Sequence, residues 1–447
     1  MNPVTDLENI YRAAVREVDP ASLIQSRVKK DGRILTIQGQ GAKISAELSR
    51  YKNVIVLGIG KASASMAAAM ENILEDELSG GFLITKYGHG RKLRKIKIRE
   101  AGHPVPDENS LEGARSLVRM AAAADEQTLI INLISGGGSS LLCLPAEGIS
   151  LADKQQTTSA LLACGAKIDE VNCIRKHLSL VKGGGMAKIA ARARLINLIL
   201  SDVIGDRIDT IASGITAPDP TTFHDALSIV RKYALEDKLP PAVKNRLVCG
   251  VEGNIPETPK AGNPVFRHAV NIILGNNTLA CNAALAAARR LGYNARVLST
   301  TLAGDASVAG CSFAKLARFI DSGKSGEAKP VVIIAGGETT VNINGKGKGG
   351  RNQEMALAFV IELHRIGTGS SNIFFLSAGT DGSDGPTDAA GAFVTPELLE
   401  KMKNIAVQAA AHLKENDAYH FFQDTGCLFK TGPTGTNVCD IQILAVI

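Results

Sequence analysis

A chain of 447 residues with 45% hydrophobic content has length for two or three domains with cores of their own, and predicts a folded, soluble enzyme. Fifty basic against 44 acidic residues leave a formal charge of +6, too small and dispersed to steer nucleic acid; with no tryptophan and 4% aromatic residues, stacking platforms for bases are lacking too. The acid-bearing first ten residues do not read as a signal peptide, no apolar run reaches membrane-spanning length, and the eight cysteines form no CxxC pair, which predicts reduced thiols in a cytoplasmic protein and no zinc site.

An amphipathic helix over about 4–18 opens the chain, after which short β-branched runs alternate with helical periods. Strands are predicted near 53–58, 81–86, 129–134, 195–201, 269–275, 294–299, 331–336, 372–377 and 438–446. Helices fill 61–77, 108–124, 151–164, 169–181, 223–234, 277–291, 305–320, 352–366 and 397–415. This alternation predicts an α/β fold of two layered domains with largely parallel sheets and a cleft between them. The aperiodic stretch Gly250-Val-Glu-Gly-Asn-Ile-Pro-Glu-Thr-Pro-Lys-Ala-Gly-Asn-Pro264 marks the boundary, giving a larger Rossmann-like domain over 1–265 and a smaller one over 266–447. The basic run Arg91-Lys-Leu-Arg-Lys95, with Lys97 and Arg99, reads as a solvated strand edge beside a turn.

Three apolar strands stop at glycine-rich loops, and backbone N–H groups at such strand-to-helix turns suit an anion. In Gly58-Ile-Gly-Lys-Ala-Ser63 the glycines permit a tight turn and place Lys61 at a helix start, where a cation calls for solvent or an anion. The spacing fits neither a Walker A loop nor a full GxGxxG fingerprint. Ser135-Gly136-Gly137-Gly138-Ser139-Ser140 is the stronger phosphate signal, since three successive glycines carry a large ordering entropy and the hydroxyls add donors. Lys176-His-Leu-Ser-Leu-Val-Lys-Gly-Gly-Gly-Met186 joins two lysines to another glycine run, again suited to phosphate, with His177 read as structural. Asp202 and Asp206 follow a strand and could hold Mg²⁺; turn formation or helix capping accounts for them equally well. Gly345-Lys-Gly-Lys-Gly-Gly-Arg-Asn-Gln-Glu354 brings Arg351, a bidentate clamp for carboxylate or phosphate, to a helix start, with a flexible hairpin tip as the plain alternative. Ser377-Ala-Gly-Thr-Asp-Gly-Ser-Asp-Gly-Pro-Thr-Asp388 lacks the frame of a calcium loop and reads as a polar rim carrying Asp381 and Asp384, with a plain Asx-turn-rich loop as the alternative.

Taken in this order, together with Gly336-Gly-Glu-Thr-Thr-Val341 and Gly432-Pro-Thr-Gly-Thr-Asn437, the motifs resemble the class II (MOFRL-type) glycerate 2-kinase family, from about Leu7 to the last strand. The resemblance implies transfer of the γ-phosphoryl of ATP, with a divalent metal, Mg²⁺ by expectation, to the C2 hydroxyl of D-glycerate. It implies that Lys61 and Arg351 are the key active-site residues, approaching from opposite domains that close over the substrates. Ser135 to Ser140 then serve phosphate or carboxylate, Lys182, Asp202 and Asn276 the nucleotide, Asp202 and Asp206 the metal. Asp381 and Asp384 are placed at the substrate; the motifs identify no general base, and either aspartate could accept the hydroxyl proton. The third loop becomes a supporting turn that leads to the Arg351 hairpin. One departure stands out: the family's Ile-Ala-Ser-Gly-Pro-Thr reads Ile211-Ala-Ser-Gly-Ile-Thr216 here, which loosens a turn and removes no functional group. Partners are the two small substrates, with neither nucleic acid nor membrane, and a homodimer is allowed.

The main rival is an NAD(P)-dependent hydroxypyruvate reductase. Against it, Phe82-Leu-Ile-Thr-Lys86 ends without the acid expected about 20 residues beyond the glycines, although Lys86 leaves an NADP version open. A non-catalytic binding module for an anionic metabolite is the third reading.

Overall fold

The computed structural model describes residues 2–367 and 372–447. It divides into two compact units: one spans Pro20–Leu274, and the other joins the residues up to Asp19 to Gly275–Ile447. The division differs from the expected one at both ends. The break falls ten residues beyond the Pro/Gly-rich stretch 250–264, and the opening helix, Pro3–Glu17, belongs with the C-terminal half. Its buried stripe Leu7, Ile10, Tyr11 and Ala14 explains why: Tyr11 donates its hydroxyl to Gly379 O at 2.6 Å, Tyr293 donates to Asp6 Oδ2 at 2.8 Å, and Thr436 Oγ1 donates to Val18 O at 2.7 Å.

Pro20–Leu274 is the parallel-sheet unit. Its six-stranded sheet runs in the order Ile96–Ala101, Leu78–Lys86, Asn53–Ile59, Thr128–Ile134, Arg194–Leu200, Ala269–Gly275. The first five are parallel neighbours, and the near-continuous apolar runs of the central ones match a sheet buried on both faces. Leu57, Ile84, Ile130 and Leu195 meet Ala114, Leu117 and Ala121 of helix Glu108–Ala122 in one core cluster. The edge strand Ile96–Ala101 carries Lys97 and Arg99 of the basic run that reads as a solvated strand edge, and the preceding turn is tied down by Glu71, which accepts from the N–H groups of Arg94, Lys95 and Ile96. A separate antiparallel sheet, Val28–Asp31, Ile34–Gln38 and Lys43–Glu47, went unpredicted because its strands are only four or five residues long and the two outer ones carry charge.

The other unit is built on a mixed sheet in the order Asn294–Leu302, Val331–Gly337, Asp440–Val446, Ile373–Gly379, Gly391–Val394, Leu428–Phe429. The α/β class holds, but here parallel pairing is confined to the first two strands; the chain's last strand inserts antiparallel between Val331–Gly337 and Ile373–Gly379. Phe359 stacks on Phe375 with ring centroids 4.4 Å apart, fixing helix Arg351–Ile366 on this sheet.

Candidate active site

In the parallel-sheet unit, the strand Asn53–Ile59 runs into Gly60 at φ +117°, where a Cβ would collide with Ser135. Lys61 N–H donates to Gly136 O at 2.9 Å and Ala62 N–H to Ser135 Oγ at 3.0 Å, so the first two glycine loops are clasped together. Ser135 therefore serves the clasp: its own N–H continues the sheet to Ile59 O at 3.0 Å. The N–H groups of Gly138 and Ser140 close the loop's own turn on Ser135 O and Gly137 O, and the hydroxyls of Ser139 and Ser140 bond to Ser213 Oγ and Gly137 O. The expectation that all of Ser135 to Ser140 presents donors outward is corrected by this bonding; the part that faces the lysine is Gly137. A Cβ there would lie 2.8 Å from His103 Cδ2, 2.9 Å from its Nε2 and 3.5 Å from Lys61 Cγ, so the lysine stem and the imidazole converge on that glycine.

His103 escaped the sequence reading because the basic run before it drew attention to a solvated edge and not to the loop that follows; a histidine between Gly102 and Pro104 just past a strand end was the available signal. Burial, reinforced by the nearby charges of Lys61 and Lys86, depresses its pKa to about 4, so the ring is neutral at physiological pH. Asp202 is half-buried; burial raises its carboxyl pKa and the Lys61 ammonium draws it back down, which places these two predicted residues within electrostatic reach of each other. Asp206 holds a left-handed backbone at φ +55°.

Lys182 does not reach outward. Its ammonium is buried beneath the loop, donating to Ser139 O at 2.6 Å, and burial lowers its pKa well below the usual lysine range. The expected nucleotide contact finds no support in this geometry: Lys182 braces the loop from within. Lys176 is likewise buried, 3.2 Å from Asp219, and the N–H groups of Gly183 and Gly184 go to Ser213 O and Gly214 O. This motif is a brace for the turn Ile211–Ser213, where Ala212 and Ser213 sit at φ +50° and +59°. Strain of that kind, about 1–3 kcal/mol per residue, persists only where surroundings over-determine it, and here the brace supplies those surroundings. His177 is structural as read, with Nδ1 donating to Cys173 O at 2.8 Å and its ring edge-on to Phe223.

In the mixed-sheet unit, Arg351 opens helix Arg351–Ile366. Its Nε and Nη2 donate to the two oxygens of Asp440 at 2.6 and 2.9 Å, and Nη1 donates to Glu338 Oε1 at 2.6 Å. Burial opposes the charged guanidinium, but Asp440 and Glu338 outweigh it and raise its pKa. The third glycine loop is thus the supporting turn expected of it, delivering Glu338 to the arginine. Asp440 was missed within the strand predicted near 438–446; a lone acid heading a buried strand was its signature. The hairpin before Arg351 is pinned, not flexible, by Asn416 Oδ1 accepting from Asn344 and Gly345 N–H and by Asp417 Oδ1 accepting from Lys348 N–H.

Asp384 and Asn276 are corrected to structural roles. The Asp384 carboxylate is buried and accepts from the N–H groups of Asn352 and Gln353 at 3.1 and 2.9 Å, capping the Arg351 helix from another loop; a Cβ on Gly350 would collide with it. Burial lifts its pKa to about 6. Asn276 is the N-cap of helix Asn277–Arg290, accepting from Leu279 N–H at 2.9 Å. Asp381, half-buried, forms an Asx-turn with Ser383, and its charge is felt by the Tyr11 hydroxyl.

A lysine-bearing glycine loop on one sheet and an arginine held between carboxylates on the other define an α/β enzyme that handles anionic substrates. Residues 6–248 match a family described as a domain of unknown function, DUF4147, and residues 331–440 match the MOFRL family. A glycerate 2-kinase of Pyrococcus horikoshii is 41% identical over 97% of this chain and 95% of its own length. The crystal structure of a Thermotoga maritima glycerate kinase superposes with a TM-score of 0.85 at 36% identity, covering all of both chains. An Agrobacterium vitis relative, 38% identical over 98% of this chain and 94% of its own length, is provisionally named a hydroxypyruvate reductase. The chain belongs to the class II glycerate kinase family.

Proposed function

We propose that this chain is a glycerate 2-kinase, transferring the γ-phosphoryl of ATP to the C2 hydroxyl of D-glycerate to give 2-phosphoglycerate and ADP. Kinship over nearly the whole chain with proteins named glycerate 2-kinase carries this reading, and the charged loops supply a rationale for it. Phosphoryl transfer through a loose transition state needs positioning and neutralisation of charge more than covalent help. Lys61 and Arg351 provide fixed cations for the glycerate carboxylate and the moving phosphoryl group. Arg351 is preorganised, because its three bonds to Asp440 and Glu338 set the guanidinium plane before substrate arrives. The neutral ring of His103, beside Lys61, is a proton acceptor that adds no charge to a site for anions.

Asp202 and Asp206 are hard oxygen donors at one strand end, which fits magnesium, since that ion commonly takes one or two carboxylates alongside phosphate oxygens and water. Among the described residues no cluster of three or more His, Cys, Asp or Glu side chains could hold a metal by itself. When bound, such an ion neutralises charge on the phosphates. No helix among the described residues is long and apolar enough to cross a membrane, and the eight cysteines, with no CxxC pair among them, suit the reducing cytoplasm.

The reductase reading draws on the Agrobacterium relative. Lys86, at the end of the strand parallel to Asn53–Ile59, stands where a dinucleotide site would place its ribose-binding acid. Incubation with ATP, Mg²⁺ and D-glycerate, followed by an enzyme-coupled assay that separates 2-phosphoglycerate from 3-phosphoglycerate, tests the proposal. Phosphate on C3, or turnover only with NAD(P)H and hydroxypyruvate, overturns it.

A further inference from the structure

The edge strand Asn294–Leu302 and the helix Ala306–Asp321 leave a slot of 340 Å³ between them in the mixed-sheet unit. Its walls are apolar, with Leu302, Phe313 and Leu316 inside and Leu298 and Val308 at the rim; those two are 48% and 64% exposed. Large apolar side chains grouped around a concavity lose free energy to water until something covers them. The volume lies at the small end of ligand pockets, about 300–1,000 Å³, which suits a flat bicyclic ring and little more.

The place of the slot is as telling as its lining. It opens at the C-terminal end of the unit's one parallel strand pair, where open α/β sheets bind ligands. Leu302 O accepts from Glu338 N–H at 2.8 Å, and the Glu338 carboxylate is bonded to Arg351, so one residue links the slot to the phosphate-binding candidate. The mouth carries Asp305, whose Oδ1 accepts from Val308 N–H and Ser307 Oγ and whose Oδ2 accepts from Asn342 Nδ2. A carboxylate at that helix start rejects phosphate, yet Oδ2 keeps a lone pair for a sugar hydroxyl.

We propose that this slot takes the heteroaromatic base of the nucleotide donor, with its ribose at Asp305 and its phosphates running toward Arg351. The assignment rests on the kinase reading and adds to it the unit that holds the base. It also accounts for the uncovered Leu298 and Val308, which would sandwich the ring.

The chain has no tryptophan, so Ser312→Trp, on the exposed rim of the slot, creates a single reporter. ATP and adenosine are expected to change its fluorescence, and inorganic tripolyphosphate, which has no base, is not. Leu298→Asp is expected to weaken ATP binding by at least about tenfold, or ~1.4 kcal/mol, with the tripolyphosphate affinity and the KM for D-glycerate unchanged. If ATP supports turnover but leaves the Trp signal untouched and binds Leu298→Asp normally, the slot assignment fails and the kinase reading stands. If Leu298→Asp weakens ATP and tripolyphosphate equally, or alters only the subunit count in sedimentation, the slot is not a base site. If the wild-type chain forms no 2-phosphoglycerate from ATP and D-glycerate, the kinase reading itself falls.

Discussion

Arg351 and Asp440 meet fork to fork: two N–H groups of the guanidinium reach the two oxygens of a carboxylate that is 1% exposed at the head of the last strand. The pair holds the guanidinium plane while leaving Arg351 partly open to solvent, and Glu338 completes the clamp from the side. Asp440→Asn keeps the shape but turns one acceptor into a donor facing another donor. We expect kcat/KM to fall about 10–100-fold, or ~1.4–2.7 kcal/mol of barrier, with the fold retained by circular dichroism. Glu338→Gln, at a more exposed partner, should lose less; equal losses would show that the buried bidentate contact is not the one that sets the plane.

Charge removal at the two proposed cationic centres should be more damaging. Lys61→Ala and Arg351→Ala are each expected to retain under about a tenth of wild-type activity, a loss above ~1.4 kcal/mol. Either variant folding normally with more activity than that would remove its residue from a central role.

The clasp between the first two loops makes a stability prediction independent of activity. Gly60 combines a positive φ with backbone and hydroxyl of Ser135 in its side-chain space, so Gly60→Ala should cost about 3 kcal/mol or more. Gly148 shares the positive φ, at +79°, but has nothing within 4 Å of its would-be Cβ, so Gly148→Ala should cost about 1 kcal/mol. Urea denaturation of the two variants measures the difference, and equal costs would mean the loops are not tightly packed.

His103 gives a signed pH dependence. Its folded pKa of about 4 lies below the unfolded value of about 6.5, so between those values the unfolded chain binds more protons. The stability held by the neutral ring is present above about pH 6.5 and lost as pH falls toward 4. Comparing the stabilities of wild type and His103→Asn from pH 8 to 4 should show the wild-type advantage shrinking by about 1–2 kcal/mol after allowance for partial exposure. An unchanged difference would mean the imidazole is not desolvated beside Lys61.

The reach of sequence reasoning follows a physical line. Runs such as Thr128–Ile134 and Val331–Gly337 are buried on both faces, so their apolar content announces them. Ile96–Ala101 lies at a sheet edge and alternates charge with apolar residues, so it reads as a solvated edge and gives no hint that His103 beyond it turns inward. Motif order singled out Lys61 and Arg351 as candidates, but residue type cannot separate a ligand from a cap or a prop. Asn276, Asp384 and Lys182 all have the right chemistry for a nucleotide site; the first two spend it on helix N–H groups and the third on a loop carbonyl. Burial and partner geometry decide such cases, and both depend on segments far away in sequence.

The opening helix illustrates that distance in time as well as space. Thr436 closes on Val18 across 418 positions, and helix Pro3–Glu17 packs on helix Asn277–Arg290 and on the strands Ile373–Gly379 and Asp440–Val446, all in the C-terminal half. Vectorial synthesis therefore finishes the whole Pro20–Leu274 unit before the first helix can dock. Birth order and assembly order are opposed for this one element, and its stripe is the greasy surface that a nascent chain must keep from aggregating longest.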